Sequence, residues 1–241
     1  MTGEMGGVIL IKEERRGDSV LKDLLEIHCG VTAVIGGGGK TTLLRTLGEE
    51  LAQHHSVLLC TTTKIMPFAE IPWTETAEEL DYLRRQHRLL CAGTFLPDSG
   101  KLTAPQMPMA QLAAWFDYIL VEADGSAQRP LKAHAPHEPV IPVEANQTIC
   151  VVGASGFGRA IVEVAHRPER YAALAKTTVD AMTTPETEVA VLLAERLHDR
   201  IFVNQVETAE ELEYAQALAK RLACPVLAGS LWKGEYLVCS Y

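Results

Sequence analysis

The run from Val31 to Leu44 (Val-Thr-Ala-Val-Ile, four glycines, Lys40-Thr41-Thr42, then leucines) constrains this chain more than any other stretch. Its first five residues are rich in Val and Ile and predict a buried strand; the residues after Thr42 predict a helix. The glycines between them carry no Cβ to shield the backbone, so several N–H groups are free to turn toward one anion. A helix opening near Lys40 adds unpaired amides and the positive end of its dipole. Strand, glycine turn, Lys-Thr and helix is the order of a phosphate-binding loop. Gly36, Gly37, Gly38, Gly39, Lys40, Thr41 and Thr42 are therefore the expected cradle for a nucleotide, ATP or GTP. Lys40 is the mobile cation for the outer phosphates, and the Thr41 hydroxyl is placed to bind Mg²⁺. The usual spacing has a glycine six residues before the lysine. Val34 stands there instead, so the turn is expected to be tighter or built another way. A glycine turn without a ligand fits poorly with Gly-Lys-Thr behind an apolar strand.

The rest of the chain reads as what surrounds this loop. Strand-like apolar runs recur at Ser56–Cys60, Arg88–Ala92, Asp117–Glu122, Thr148–Val152, Arg200–Asn204 and Pro225–Ala228. Amphipathic helical segments lie between them, among them Thr76–Gln86 and Pro185–Leu197, the latter with Thr184 as its cap. This alternation predicts an α/β chain with a three-layer P-loop NTPase-like fold around a mostly parallel central sheet. No Gly/Ser linker divides residues 1–241, which predicts one domain. Gly7–Lys12 reads as a short edge strand, Ser19–Ile27 as an amphipathic helix and Tyr236–Cys239 as a terminal strand. Residues 96–109, with three prolines, read as a surface loop or flap over the site.

In open α/β sheets, ligands lie beyond the carboxyl ends of the strands. That rule selects the remaining candidates. Thr61, Thr62, Thr63 and Lys64 close one strand and would bring hydroxyls and a cation near the phosphates. Glu122 and Asp124 follow another; two residues apart on a strand, they share a face and would support Mg²⁺ and the attacking group, as in a Walker-B arrangement. A charged turn at Asp124-Gly125 is the plainer reading. Arg129 or Lys132 would neutralise charge on a transferring phosphate. The expected catalytic set is Lys40, Glu122, Asp124 and Arg129, and the expected metal set is Thr41, Glu122 and Asp124. His134 and His137 have metal-like spacing but lie among prolines with no third ligand at fixed spacing, and read as surface residues. Asn204, Gln205 and Glu207 follow a strand where guanine-specific P-loop proteins carry Asn-Lys-x-Asp. Glu207 either pairs with a guanine ring or caps the next helix.

A net charge of −9 argues against nucleic acid or an anionic membrane as the main partner. No apolar run reaches the ~18 residues that a membrane span needs. Met1 to Arg16 lacks the architecture of a signal peptide. Six widely spaced cysteines without a C-x-x-C pair read as reduced and buried, in keeping with a cytoplasmic protein.

Taken together, these segments resemble the YqeC family of selenium-dependent hydroxylase accessory proteins. The residues that carry the resemblance are Gly37–Thr42, Thr61–Lys64, Glu122-Ala-Asp124-Gly125-Ser126, Arg129-Pro-Leu-Lys132-Ala, His137-Glu138-Pro139-Val140-Ile141-Pro142 and His166-Arg167-Pro168. The resemblance implies a P-loop NTPase linked to maturation of molybdenum hydroxylases, with such an enzyme or its cofactor-insertion factors as partner. Gln205 and Glu207 depart from Asn-Lys-x-Asp and leave the choice of base open. Three functions stay in view: a hydrolase that drives cofactor or selenium insertion, a small-molecule kinase or ligase, and a nucleotide-binding regulator without turnover.

Overall fold

The computed structural model describes residues 2–5, 8–12 and 20–240, and side chains between 21 and 239. The first half runs β1 (Thr2–Met5), β2 (Val8–Lys12), α1 (Val20–Leu24), β3 (Gly30–Gly36), α2 (Lys40–Leu51), β4 (Val57–Thr61) and β5 (Trp73–Thr74). It continues with α3 (Ala77–Leu83), β6 (Leu89–Ala92), β7 (Thr94–Leu96), β8 (Lys101–Thr103), α4 (Met109–Ala113) and β9 (Tyr118–Glu122). Next come β10 (Leu131–Lys132), β11 (Ala145–Gly153), α5 (Ile161–Val164), β12 (Ala165–His166), α6 (Pro168–Leu174) and α7 (Pro185–Glu195). The described chain closes with β13 (Arg200–Asn204), α8 (Ala209–Ala219), β14 (Val226–Ser230) and β15 (Glu235–Ser240).

One sheet gathers eleven of these strands in the order β1-β2-β15-β14-β13-β11-β3-β9-β4-β6-β5. Every pairing from β14 across to β5 is parallel; β15, β2 and β1 extend the sheet in antiparallel fashion. β3 sits near the middle, between β11 and β9, so the glycine turn leaves the sheet at its centre.

Both faces of the parallel part are covered, which explains why its strands read as unbroken apolar runs. On one face, Leu43, Leu44, Leu47 and Leu51 of α2 pack against Val34, Leu59, Leu120 and Val151. Each such fully buried leucine stabilises the fold by about 1.5–3 kcal/mol. The opposite face of β3, through Ile35, meets α7 and α8 by way of Val191, Leu192, Ala215 and Leu218. Farther along that face, Leu80 of α3 and Leu112 of α4 cover Leu58, Ile119 and Val121. The result is the expected three-layer α/β arrangement. Thr184 caps α7 in a reciprocal pair with Thr187, as its position predicts.

Three expectations change. Residues 96–109 are not a loose flap. Lys101–Thr103 pairs with Thr94–Leu96 in a hairpin, Leu102 is fully buried, and Ile65 exchanges both backbone bonds with Leu102, at 3.0 and 2.8 Å. The Val8–Lys12 strand is not an edge, because β1 and β15 flank it; the expected starts at Gly7 and Ser19 lie outside the described residues. Cys29 is exposed, whereas Cys60, Cys91 and Cys150 are buried, and the six cysteines are free thiols. Burial pushes the Cys91 thiol up to about 12, which keeps it protonated and unreactive.

Candidate functional site

The turn after β3 is short because the strand runs on through Gly36, leaving Gly37–Gly39 before α2 begins at Lys40. Val34, at the position where a glycine is usual, is a fully buried strand residue. The turn is shaped by other segments of the chain. Gly36 N–H donates to Asp124 Oδ2 at 2.9 Å, Gly37 N–H to the Val151 carbonyl at 2.9 Å, and Gly38 N–H to the Arg129 carbonyl at 3.1 Å. Asn204 closes the turn from the far side, donating through Nδ2 to the Gly38 carbonyl at 2.8 Å and accepting from Leu231 N–H at 3.1 Å. A side chain is excluded at Gly38: φ is +75°, and a Cβ would lie 2.4 Å from Gly153 Cα. The expectation that the glycine amides face an anion is therefore corrected. Three of the four are engaged with the protein itself, and the groups left for an anion are the Gly39 amide, at the cleft, and the amides that open α2, which lack an intrahelical partner.

A cleft of about 390 Å³ opens over that helix end. Its lining includes Gly39, Lys40, Thr41, Glu122, Lys64 and Gln205. Thr41 donates its hydroxyl to Glu122 Oε2 at 2.7 Å. Lys40 is folded back: its Nζ donates to the Gly36 carbonyl at 2.7 Å and lies 3.1 Å from Asp124 Oδ1 and 3.9 Å from Glu122 Oε1.

The two carboxylates differ sharply. Glu122 borders the cleft, and burial raises its pKa, with Lys40 and the Thr41 hydroxyl opposing that rise. Asp124 is fully buried and is gripped by Lys40, by Lys132 at 3.1 Å, and by His134 Nε2 at 2.6 Å. Burial alone would raise the Asp124 pKa. The His134 hydrogen bond and the two lysines outweigh it and hold the carboxyl well below the usual carboxylate range. Asp124 thus braces the glycine turn and Lys40 from beneath and does not line the cleft. Both carboxylates approach Lys40 Nζ, but only Glu122 also borders the cleft.

His134 is buried, contrary to the surface reading, while His137 is exposed. The second ring nitrogen of His134, Nδ1, meets Glu195 Oε2 at 2.7 Å, and its backbone N–H donates to Glu195 Oε1 at 2.7 Å. Burial disfavours charge on the ring, but a carboxylate at each nitrogen overrides this and raises the pKa. Lys132 also donates to the Gly125 carbonyl and pairs with Glu138 at 3.0 Å; Glu138 in turn pairs with Arg167 at 2.8 Å. The network balances Lys40, Lys132, His134 and Arg167 against Glu122, Asp124, Glu138 and Glu195.

The other candidates fall into two groups. Lys64 and Gln205 line the cleft, and the Ser155 hydroxyl holds Gln205 Oε1 at 2.6 Å. Thr61 and Thr62 point their hydroxyls at backbone carbonyls, of Glu122 and Val140 respectively, each at 2.7 Å. Arg129 reaches the loop by its carbonyl, and its side chain is exposed and does not line the cleft. Glu207 accepts from the Ser230 hydroxyl at 3.1 Å and lies 3.4 Å from Lys233 Nζ. It is not the helix cap, because Thr208 and Glu211 form that cap. Among the described residues, no group of three or more His, Cys, Asp or Glu side chains is arranged to hold a metal ion.

The loop, Glu122, Asp124, Lys132 and His134 all fall within one matched stretch: a family model described as YqeC protein matches residues 32–169, more than half of the chain. The chain belongs to the YqeC family. "Uncharacterized protein YqeC" of Escherichia coli (strain K12) is 34% identical over 160 residues, which cover 63% of this chain and 62% of that protein. The match thus spans less than two thirds of that relative's length. Glu195, Asn204, Gln205 and Glu207 lie beyond the stretch that matches the YqeC model. Among the described residues, no helix is long and apolar enough to cross a membrane.

Proposed function

We propose that this YqeC-family chain binds a Mg²⁺-nucleotide, ATP or GTP, across the cleft over α2 and hydrolyses its terminal phosphoanhydride. The observation that carries this reading is the convergence of the α2 first turn, Lys40 and the Thr41–Glu122 pair on one cleft at the carboxyl edge of a parallel sheet. The donor set fits the metal. A hydroxyl and a carboxylate are hard oxygen ligands, and Mg²⁺ is commonly bound through one or two carboxylates with phosphates and water completing its shell. Thr41 and Glu122 would hold it; Asp124, saturated by cations, would not. Bound there, Mg²⁺ would neutralise phosphate charge. The first-turn amides of α2 would orient the phosphates. Lys40 would leave its contacts with Gly36 and Asp124 to meet the outer oxygens. Glu122, at the border of the cleft, would support the Mg²⁺ and the attacking water together. Gln205 and Glu207, at the end of β13, would face the base.

A role in the maturation of selenium-dependent molybdenum hydroxylases follows from the family resemblance and forms part of the proposal, as does a cytoplasmic location. The test is release of inorganic phosphate from ATP and GTP, with and without Mg²⁺ and with and without a molybdenum hydroxylase. No release, and no thermal stabilisation by either nucleotide, would overturn the reading.

A further inference from the structure

The P-loop cleft does not end at the loop. A second chamber of about 320 Å³ adjoins it, lined by Thr63, Lys64, Lys101, Gly125 and Glu138, and Lys64, Lys101 and Gly125 border both spaces. Its position follows from the sheet order. Gln205 follows β13, two strands from β3 on one side; Lys64 follows β4, two strands from β3 on the other. The loop lies between them. A nucleotide whose base lies toward Gln205 has its terminal phosphate over Lys40 and Thr41, and the chamber is then beyond that phosphate.

The chamber's charge is unusual for this chain. Against a net charge of −9, Lys64 and Lys101 are brought to one opening. Among the described residues neither ammonium has an ion-pair or hydrogen-bond partner in the protein. Glu138, the acidic residue of the lining, is already neutralised by Lys132 at 3.0 Å and Arg167 at 2.8 Å. The backbone segments that carry the two lysines are also tied to each other. The hairpin that carries Lys101 is tied to the segment that carries Lys64 by the Ile65–Leu102 backbone pair and by the Thr103 hydroxyl, which donates to the Thr63 carbonyl at 2.7 Å. Two unpaired cations on a braced support, bordering a nucleotide cleft on the side away from the base, form a receptor for an anion.

We propose that this chamber binds a second ligand, a small molecule bearing a phosphate or carboxylate group, held by Lys64 and Lys101 next to the terminal phosphate of the nucleotide. The proposal rests on the nucleotide reading of the adjoining cleft. It makes the site one for two ligands, with the anionic group anchoring a small molecule beside the nucleotide's terminal phosphate.

The test uses the full chain saturated with a Mg²⁺-bound, non-hydrolysable ATP or GTP analogue. Inorganic phosphate is titrated in one calorimetric arm and succinate in the other, so that the tighter probe tells phosphate from carboxylate recognition. Wild type is expected to bind one equivalent of at least one probe. The double variant Lys64→Gln/Lys101→Gln is expected to bind it at least about tenfold more weakly, the scale of losing charge-assisted hydrogen bonds. Its nucleotide affinity is measured alongside, both proteins are titrated at saturating analogue, and its melting temperature should hold because neither lysine has a partner among the described residues to lose. A tenfold or greater loss of nucleotide affinity in the double variant would assign the lysines to the nucleotide and overturn the proposal. Equal probe binding by both proteins, or no saturable binding by nucleotide-loaded wild type, would overturn it alone. Failure of wild type to bind either nucleotide would overturn the reading of the P-loop cleft and this proposal with it.

Discussion

Asp124→Asn separates a carboxylate that holds the site together from one, Glu122, that is proposed to do chemistry. Asp124 is fully buried and counters three cations: Lys40 at 3.1 Å, Lys132 at 3.1 Å and His134 at 2.6 Å. The substitution keeps the size and one acceptor for the Gly36 amide but removes the charge. Breaking a buried ion pair from one side costs about 3–5 kcal/mol, because the partner charge stays behind. The loss should fall at the lower end, near 3 kcal/mol, because His134 can shed its proton once its carboxylate is gone. For a chain of this size, each kcal/mol moves the melting temperature by about 2–4 °C, so a fall of roughly 6–12 °C is expected in a thermal melt at pH 7 without nucleotide. Glu122→Gln is the control. It removes a charge that burial already disfavours and keeps an acceptor for Thr41, so stability should change by less than about 1 kcal/mol, while turnover falls by ~100-fold, the scale of lost acid–base help. An Asp124→Asn protein as stable as its parent, or a Glu122→Gln protein equally destabilised, would refute this division of roles.

Other outcomes can be checked on the same protein. Saturating Mg²⁺-nucleotide at ~100 times Kd should stabilise wild type by about 2.7 kcal/mol, and Lys40→Ala should lose most of the resulting thermal shift; equal shifts would remove Lys40 from the site. If Glu207 reads the base, GTP should compete roughly tenfold to a hundredfold better than ATP, and Glu207→Ala should erase the difference; an unchanged ratio would leave Glu207 to Ser230 and Lys233. Glu188 is buried against the Tyr171 hydroxyl at 2.7 Å, and burial raises its pKa to about 7. A raised carboxyl binds its proton more tightly in the folded state, so stability declines as pH rises from ~4.5 towards the folded pKa, and Glu188→Gln should flatten that decline in denaturant titrations at pH 5 and 8. His134 acts in the same pH direction: its raised pKa contributes fully below ~6.5 and is lost as pH rises through the folded value, which NMR of the imidazole would follow.

The layers were legible because β3, β4, β9 and β13 are covered on both faces, and such strands appear as apolar runs that need no partner to be recognised. The lysine–threonine turn was legible because its chemistry is local. What escaped the sequence depends on distant residues. His134 read as a surface residue among prolines, yet its burial rests on Glu195, 61 residues later. Leu102 sits in a proline-bearing stretch that reads as loop, and its core position depends on pairing with Ile65. Asp124 and Glu122 have the same spacing to the strand whether they face a cleft or a cluster of cations, and only Lys132 and His134 decide between the two. Arg129 stands out in the sequence for its charge, whereas its carbonyl is what touches the loop.

That the Gly36, Gly37 and Gly38 amides are satisfied by the protein itself has an entropic consequence. A loop already fixed by its own hydrogen bonds leaves little ordering for a ligand to bring about, so binding forfeits little conformational freedom. Hydrogen exchange would see this directly. In the ligand-free protein the amides at 36–38 should exchange slowly, those opening α2 should exchange fast, and nucleotide should slow the second set alone.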